Sequence, residues 1–227
     1  MNWPAILLSL RLAATVCLLL LVIGAPLAYW IAFSARRWKF LVEAMVALPL
    51  VLPPTVLGYY MLVALGPRSP LGRLAESIFS TRLTFSFPGL VIASVLYSLP
   101  FAVQPMENAF SAVDRKLLDA AAVLGASRWR RFWTMTLPLA KAGVITGAVL
   151  SFAHTVGEFG VVLMVGGNIP GVTQTISIAI YDEVQALDYI VAARTSALLL
   201  VFSFMTLAFV YGVNRRTSIW WSTPQNT

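Results

Sequence analysis

The chain has 227 residues, 59% hydrophobic and only 11% charged, which is too apolar for a water-soluble domain of this length and marks an integral membrane protein. A formal net charge of +7 raises nucleic acid as a partner, but the basic residues stand in loops beside apolar runs, so membrane orientation accounts for them and no nucleic acid is expected. The one cysteine, Cys17, lies inside an apolar run; it has no intrachain disulfide partner and lacks the neighbours of a metal site.

Five stretches, 12–33, 41–64, 87–109, 139–165 and 190–213, are each about twenty residues or longer, enough to cross a bilayer as helix. The expected fold is an all-α membrane domain over 1–227 with five transmembrane helices, six being the alternative count. The first run, Leu12 to Phe33, exceeds a secretory h-region, no strong cationic segment precedes it, and Arg36, Arg37 and Lys39 follow it. It reads as a retained span. Placing 36–39, the basic segment around 115–141 and the tail at Arg215 and Arg216 inside collects eleven of the sixteen Lys and Arg residues. That puts the N-terminus outside and the C-terminus in the cytoplasm. The two outer loops, 65–86 and 166–189, carry turn signals such as Gly66-Pro67 and Ile169-Pro170-Gly171. The second holds Asp182, Glu183 and Asp188 with no basic residue and is expected to be partly helical.

The second span contains Pro49, Pro53 and Pro54. Each proline removes a backbone donor, so freed carbonyls must be met by protein or water, and this run should face the bundle interior or a cavity. Two readings stay open: kinks that fit a curved bundle, or elements of a translocation path. Pro100 and Pro105 flank Gln104 in the third span and make the same argument more weakly. In the fourth span His154 and Glu158 stand one turn apart, spaced to hydrogen-bond across i,i+4. Packing or gating is the expected use, since a carboxylate repels an anion. No GxxxxGK[ST] pattern occurs, and the histidine has no serine or cysteine set as a nucleophile pair, so no catalytic residue is assigned and the chain is not read as an enzyme.

The segment Asp114 to Pro138 is the long basic stretch between apolar runs. Asp114 caps a helix bearing Leu117, Ala121 and Leu124, with Leu118 and Ala122 widening that face. Gly125 stops it, and Ser127 caps a second helix with Arg128, Arg130, Arg131, Trp129, Phe132 and Trp133. Two short helices at a sharp angle are expected. Headgroup contact suits Arg128 to Trp133, whereas the alanine-rich face is shaped for a groove on another protein.

This segment resembles the EAA motif of ABC-importer permeases in Asp119, Ala120, Ala121, Gly125, Leu137 and Pro138, with Asp119 where the family usually has Glu. The runs 48–73, 94–110 and 152–189 are similar to molybdate ABC-transporter permeases, and the likeness extends from about residue 5 to about 216. The proline run is shared with sulfate and tungstate permeases, while HTVGEFG (154–160) and GGNIPG (166–171) favour molybdate. The resemblance implies a type I importer (MetI-like) permease fold in the inner membrane, with 111–138 as the cytoplasmic coupling loop. Asp119, Ala120, Ala121, Leu124, Gly125, Ala126 and Pro138 would couple to the ATPase, and Pro49, Pro53, Pro54, Gln104, His154 and Glu158 would line the path or gate. The implied partners are a second copy of the chain, two cytoplasmic ABC ATPase subunits and a periplasmic molybdate-binding protein. No cofactor belongs to this chain, ATP-Mg being held by the ATPase. The alternatives are tungstate or sulfate as cargo, or a proton-coupled secondary transporter using His154 and Glu158; no inverted repeat supports the latter.

Overall fold

In hydrocarbon a backbone must satisfy its own polar groups, and every long apolar run of this chain does so as helix. The structure, a computed structural model, describes residues 2–79 and 82–219, with side chains described over 2–78 and 82–213. In chain order the helices are α1 (Trp3–Phe33), α2 (Lys39–Val51), α3 (Pro54–Leu65), α4 (Pro70–Phe79), α5 (Phe87–Ser111) and α6 (Arg115–Val123). There follow α7 (Arg128–Arg131), a π-helical turn (Phe132–Thr136), α8 (Leu137–Leu139), α9 (Lys141–Gly157), α10 (Gly160–Gly166), α11 (Ile176–Gln185) and α12 (Tyr189–Ile219).

The centre is a three-helix core of α1, α5 and α9. Leu12, Val16 and Leu20 of α1 are sealed against Val103, Met106 and Phe110 of α5. Helix α9 meets α5 almost backbone to backbone: a Cβ on Gly147 would stand 2.5 Å from the Ala102 carbonyl oxygen, and one on Gly143 at 2.5 Å from that of Pro105. Small residues do this work in membranes because lipid offers no hydrophobic drive between helices, so close packing must hold them.

Among the described residues three helices are long and apolar enough to cross a membrane, or up to five if each bent pair counts as one span. The chain is therefore a multi-pass membrane protein, but two expected spans are not single helices. The 41–64 stretch is α2 and α3 bent by 112°. The 139–165 stretch starts at the end of α8, where the 128–139 run meets α9 at 70°, and parts again at Glu158 and Phe159 between α9 and α10. The first break has a local cause: Pro53 and Pro54 remove two adjacent donors and push Leu52 and Pro53 into extended backbone, ψ 135° and 137°. Pro49, Pro100 and Pro105, each alone, sit inside unbroken helices.

The two ends of α1 orient the rest. At its start Asn2 donates to Gln174 at 3.0 Å and Ser9 Oγ accepts from the Ile176 amide at 2.8 Å. At its finish Arg115 Nη2 donates to the Ala32 carbonyl at 3.3 Å. The 166–189 loop and the 112–139 elbow thus lie at opposite ends of a helix about 45 Å long, against a hydrocarbon core of about 30 Å. The 166–189 loop is partly helical as expected, its Asp182 carboxylate accepting from Asn168 and Gln174. The 65–86 loop carries α4, an amphipathic helix that exposes Leu71, Leu74 and Ile78. The tail beyond residue 219 and the side chains of Arg215 and Arg216, expected on the cytoplasmic side, lie outside the described residues.

Candidate functional site

Two places bring the candidate residues together, and the elbow is built locally. Asp114 Oδ1 accepts from the Lys116 amide at 2.9 Å to start α6, and Ser127 Oγ accepts from the Arg130 amide at 3.2 Å to start α7. Between them Gly125 takes φ +82°, while the Ala126 amide donates to the Ala121 carbonyl and the Gly125 amide to that of Ala122. This is the left-handed helix stop that glycine permits, with the last carbonyls satisfied. A Cβ at Gly125 would meet nothing within 4 Å, so the requirement there is conformational.

The expected apolar face of α6 splits in two. Leu118 turns inward at 9% exposure and its carbonyl accepts from Arg131 Nη1 at 3.0 Å; Val123 and Leu124 stand outward at 88% each, with Asp119 and Ala120 exposed beside them. Periodicity alone put Leu118 on the same face as Leu117 and Leu124. The structure assigns it to the anchor instead. Pro138 follows within α8, and a wide π-helical turn separates α7 from α8.

The second place is a crossing of broken helices. A Cβ on Gly160 would lie 2.7 Å from Pro54 Cβ, and one on Gly58 2.7 Å from Met164 Cβ, so the start of α3 presses against the start of α10. Beside this contact opens a cavity of about 500 Å3 whose wall includes Pro54, Thr55, Tyr97, His154 and Glu158. Pro54, His154 and Glu158 are thereby united. Gln104 is not on that wall, Pro49 is buried within α2, and Pro53 caps α3 without lining the cavity.

His154 and Glu158 do not bond each other, contrary to the i,i+4 reading. Helix α9 ends at Gly157, and Glu158 is extended (φ −66°, ψ 135°), which throws its side chain off the helical face. His154 Nδ1 pairs with Ser98 Oγ at 2.9 Å, its ring stacked on Phe101 at 3.9 Å between centroids. Ser98 Oγ also meets Thr155 Oγ1 at 2.9 Å, and Thr155 Oγ1 lies 2.9 Å from the Ser151 carbonyl, so the ring is held by a short chain of hydroxyls. Nε2 is left as the ring's other hydrogen-bonding atom. Glu158 is 3% exposed, and neither of its oxygens has a hydrogen-bond partner; Ser94 adjoins it, its hydroxyl also unpartnered. Ser94, Tyr97, Ser98 and Phe101 were missed from sequence, although their i, i+3, i+4, i+7 spacing is a helical stripe that could have been read.

The family of binding-protein-dependent transport system inner membrane components matches residues 24–219. The chain belongs to that family. As a binding-protein-dependent permease it is 51% identical over 211 residues to the molybdenum transport system permease protein of Azotobacter vinelandii, covering 93% of each chain. Its fold is shared with solved importers. One is a bacterial alginate ABC transporter in complex with an alginate pentasaccharide-bound periplasmic protein (TM-score 0.71, 20% identity, 94% of this chain and 78% of that one). Another is the MetNI methionine ABC transporter in inward-facing conformations (TM-score 0.68, 17% identity, 96% of each). At these identities the solved structures speak for the fold alone, and that fold is the expected importer-permease fold.

Proposed function

We propose that this chain is the permease subunit of an ATP-driven molybdate importer of the inner membrane, working as a homodimer with two cytoplasmic ABC ATPase subunits and a periplasmic molybdate-binding protein. The observation that carries the cargo is the likeness to a molybdenum permease over nearly the full length of both chains. The coupling reading draws support from the elbow: an outward Asp119, Ala120 and Leu124 on a short helix whose inner side is tied by Arg131 to Leu118 and by Arg115 to the end of α1. A knob so tied passes a push from the ATPase, on which ATP-Mg is bound, into the long helices as a rigid-body movement.

The crossing of α3 and α10 is the proposed gate. Two helix breaks in contact form a place where small rotations of α9 and α2 open or shut a path, and the unpartnered Glu158 carboxylate and His154 Nε2 border it. Oxyanion selection falls mainly to the binding protein. Proteoliposomes holding this chain, the ATPase and the binding protein should accumulate molybdate only with ATP. Accumulation by this chain alone under a proton gradient would overturn the reading, and faster uptake of sulfate or tungstate would reassign the cargo.

A further inference from the structure

Two cavities at the elbow end of α1 share a wall. One, about 420 Å3, is lined by Arg115, Arg128 and Arg131 against one acid, Asp119. The other, about 540 Å3, is an apolar trough between α1 and the second half of the elbow, walled by Pro26, Trp129, Phe132 and Trp133. Tyr29 and Arg128 border both.

The arginines are set in place. Arg115 donates to the Ala32 carbonyl and lies 5.8 Å over the Phe33 ring; Arg131 donates to the Leu118 carbonyl, and its buried Nε has no partner. Arg128 stands exposed at the join. Planar guanidinium forks match a phosphate, and basic pockets between membrane helices favour anionic headgroups. The trough decides the source of that phosphate. Leu21, on its wall, lies about 18 Å along α1 from Phe33 on the wall of the basic cavity, slightly more than half of the roughly 30 Å hydrocarbon thickness. That is one leaflet's depth, the reach of an acyl chain. A free oxyanion would have no use for it.

We infer that this chain holds one anionic phospholipid at the elbow, its phosphate against Arg115, Arg128 and Arg131 and one acyl chain in the trough beside Pro26. The lipid fills the space between α1 and the coupling elbow, so it fastens the elbow to the bundle. The inference is independent of the cargo and needs only that the elbow sits at a leaflet boundary.

The test is native mass spectrometry of the full chain, with whatever subunits accompany it, released from bilayers of phosphatidylglycerol and phosphatidylcholine with matched chains. Phosphatidylglycerol should be retained over phosphatidylcholine, and Arg128→Gln should lower its retention about fivefold while leaving phosphatidylcholine unchanged. Trp133→Ala, opening the trough wall, should lower retention of both lipids, and Arg82→Gln at the far end should change neither. Equal retention of the two lipids by the unaltered chain would overturn the inference, as would an Arg128→Gln chain that keeps the full preference. Displacement of phosphatidylglycerol by glycerol phosphate as readily as by the intact lipid would also overturn it, by showing an anion site without a lipid.

Discussion

The elbow and the helix crossing are both interruptions of helix, yet they are held in opposite ways. At the elbow the turns themselves are closed by contacts a few residues long, Asp114 to Lys116, Ser127 to Arg130, Ala126 back to Ala121, and only the arginine ties at Leu118 and Ala32 reach further. At the crossing the decisive contacts join residues about a hundred positions apart, Gly160 against Pro54 and Gly58 against Met164. The first should tolerate point changes gradually, because each cap is worth about 1 kcal/mol. The second should fail abruptly, because packed surfaces without slack cannot yield to an added side chain.

The comparison can be broken most sharply at Gly160. Its Cβ position is 2.7 Å from Pro54 Cβ, a ring atom that cannot swing away, so Gly160→Val should destabilise the chain by about 3 kcal/mol and abolish uptake. Thermal unfolding in detergent checks it, and an unchanged midpoint would mean that the crossing has room after all. Gly125→Leu comes next. With open space around it, only the left-handed backbone resists, at about 1–2 kcal/mol. Cargo-stimulated ATP hydrolysis should fall several-fold with the midpoint lowered only moderately, while Gly125→Asn, better suited to that backbone, should keep most of the activity. A collapse of Gly125→Leu as complete as that of Gly160→Val would erase the distinction between the two regions.

Smaller still is Ser127→Ala, which removes an exposed cap and should cost about 1 kcal/mol, measured as a modest drop in the same midpoint. Glu158→Gln should have the smallest effect on stability. The carboxyl has only the Ser94 hydroxyl beside it, which a glutamine amide can also meet, so stability should hold or rise by no more than about 1 kcal/mol, read from the same midpoint. A large loss of stability would reveal a partner for Glu158 within the assembled transporter.

Legibility follows the same division. Caps at Asp114 and Ser127 and the stop at Gly125 could be read from sequence because their partners lie within one turn of chain. The helical core was legible from apolar run length, since a bilayer demands it. The split of 41–64 into two helices was signalled by Pro53 and Pro54, but the 112° bend was not, because proline removes hydrogen bonds without dictating where the next helix packs. His154 was paired with the wrong residue for a related reason: i,i+4 spacing presumes an unbroken helix, and α9 stops at Gly157.

By itself, then, the amino-acid order determined which segments are helical, that they belong in a bilayer, and where a short exposed elbow turns. These depend on hydrophobicity and on hydrogen bonds closed within a few residues. Tertiary packing alone decided that Pro54 would rest on Gly160, that Ser98 rather than Glu158 would hold His154, and that a cavity lined by three arginines would adjoin an apolar trough. Those outcomes depend on which helix backbones can approach closely, a property of surfaces meeting across the bundle that no stretch of chain carries alone.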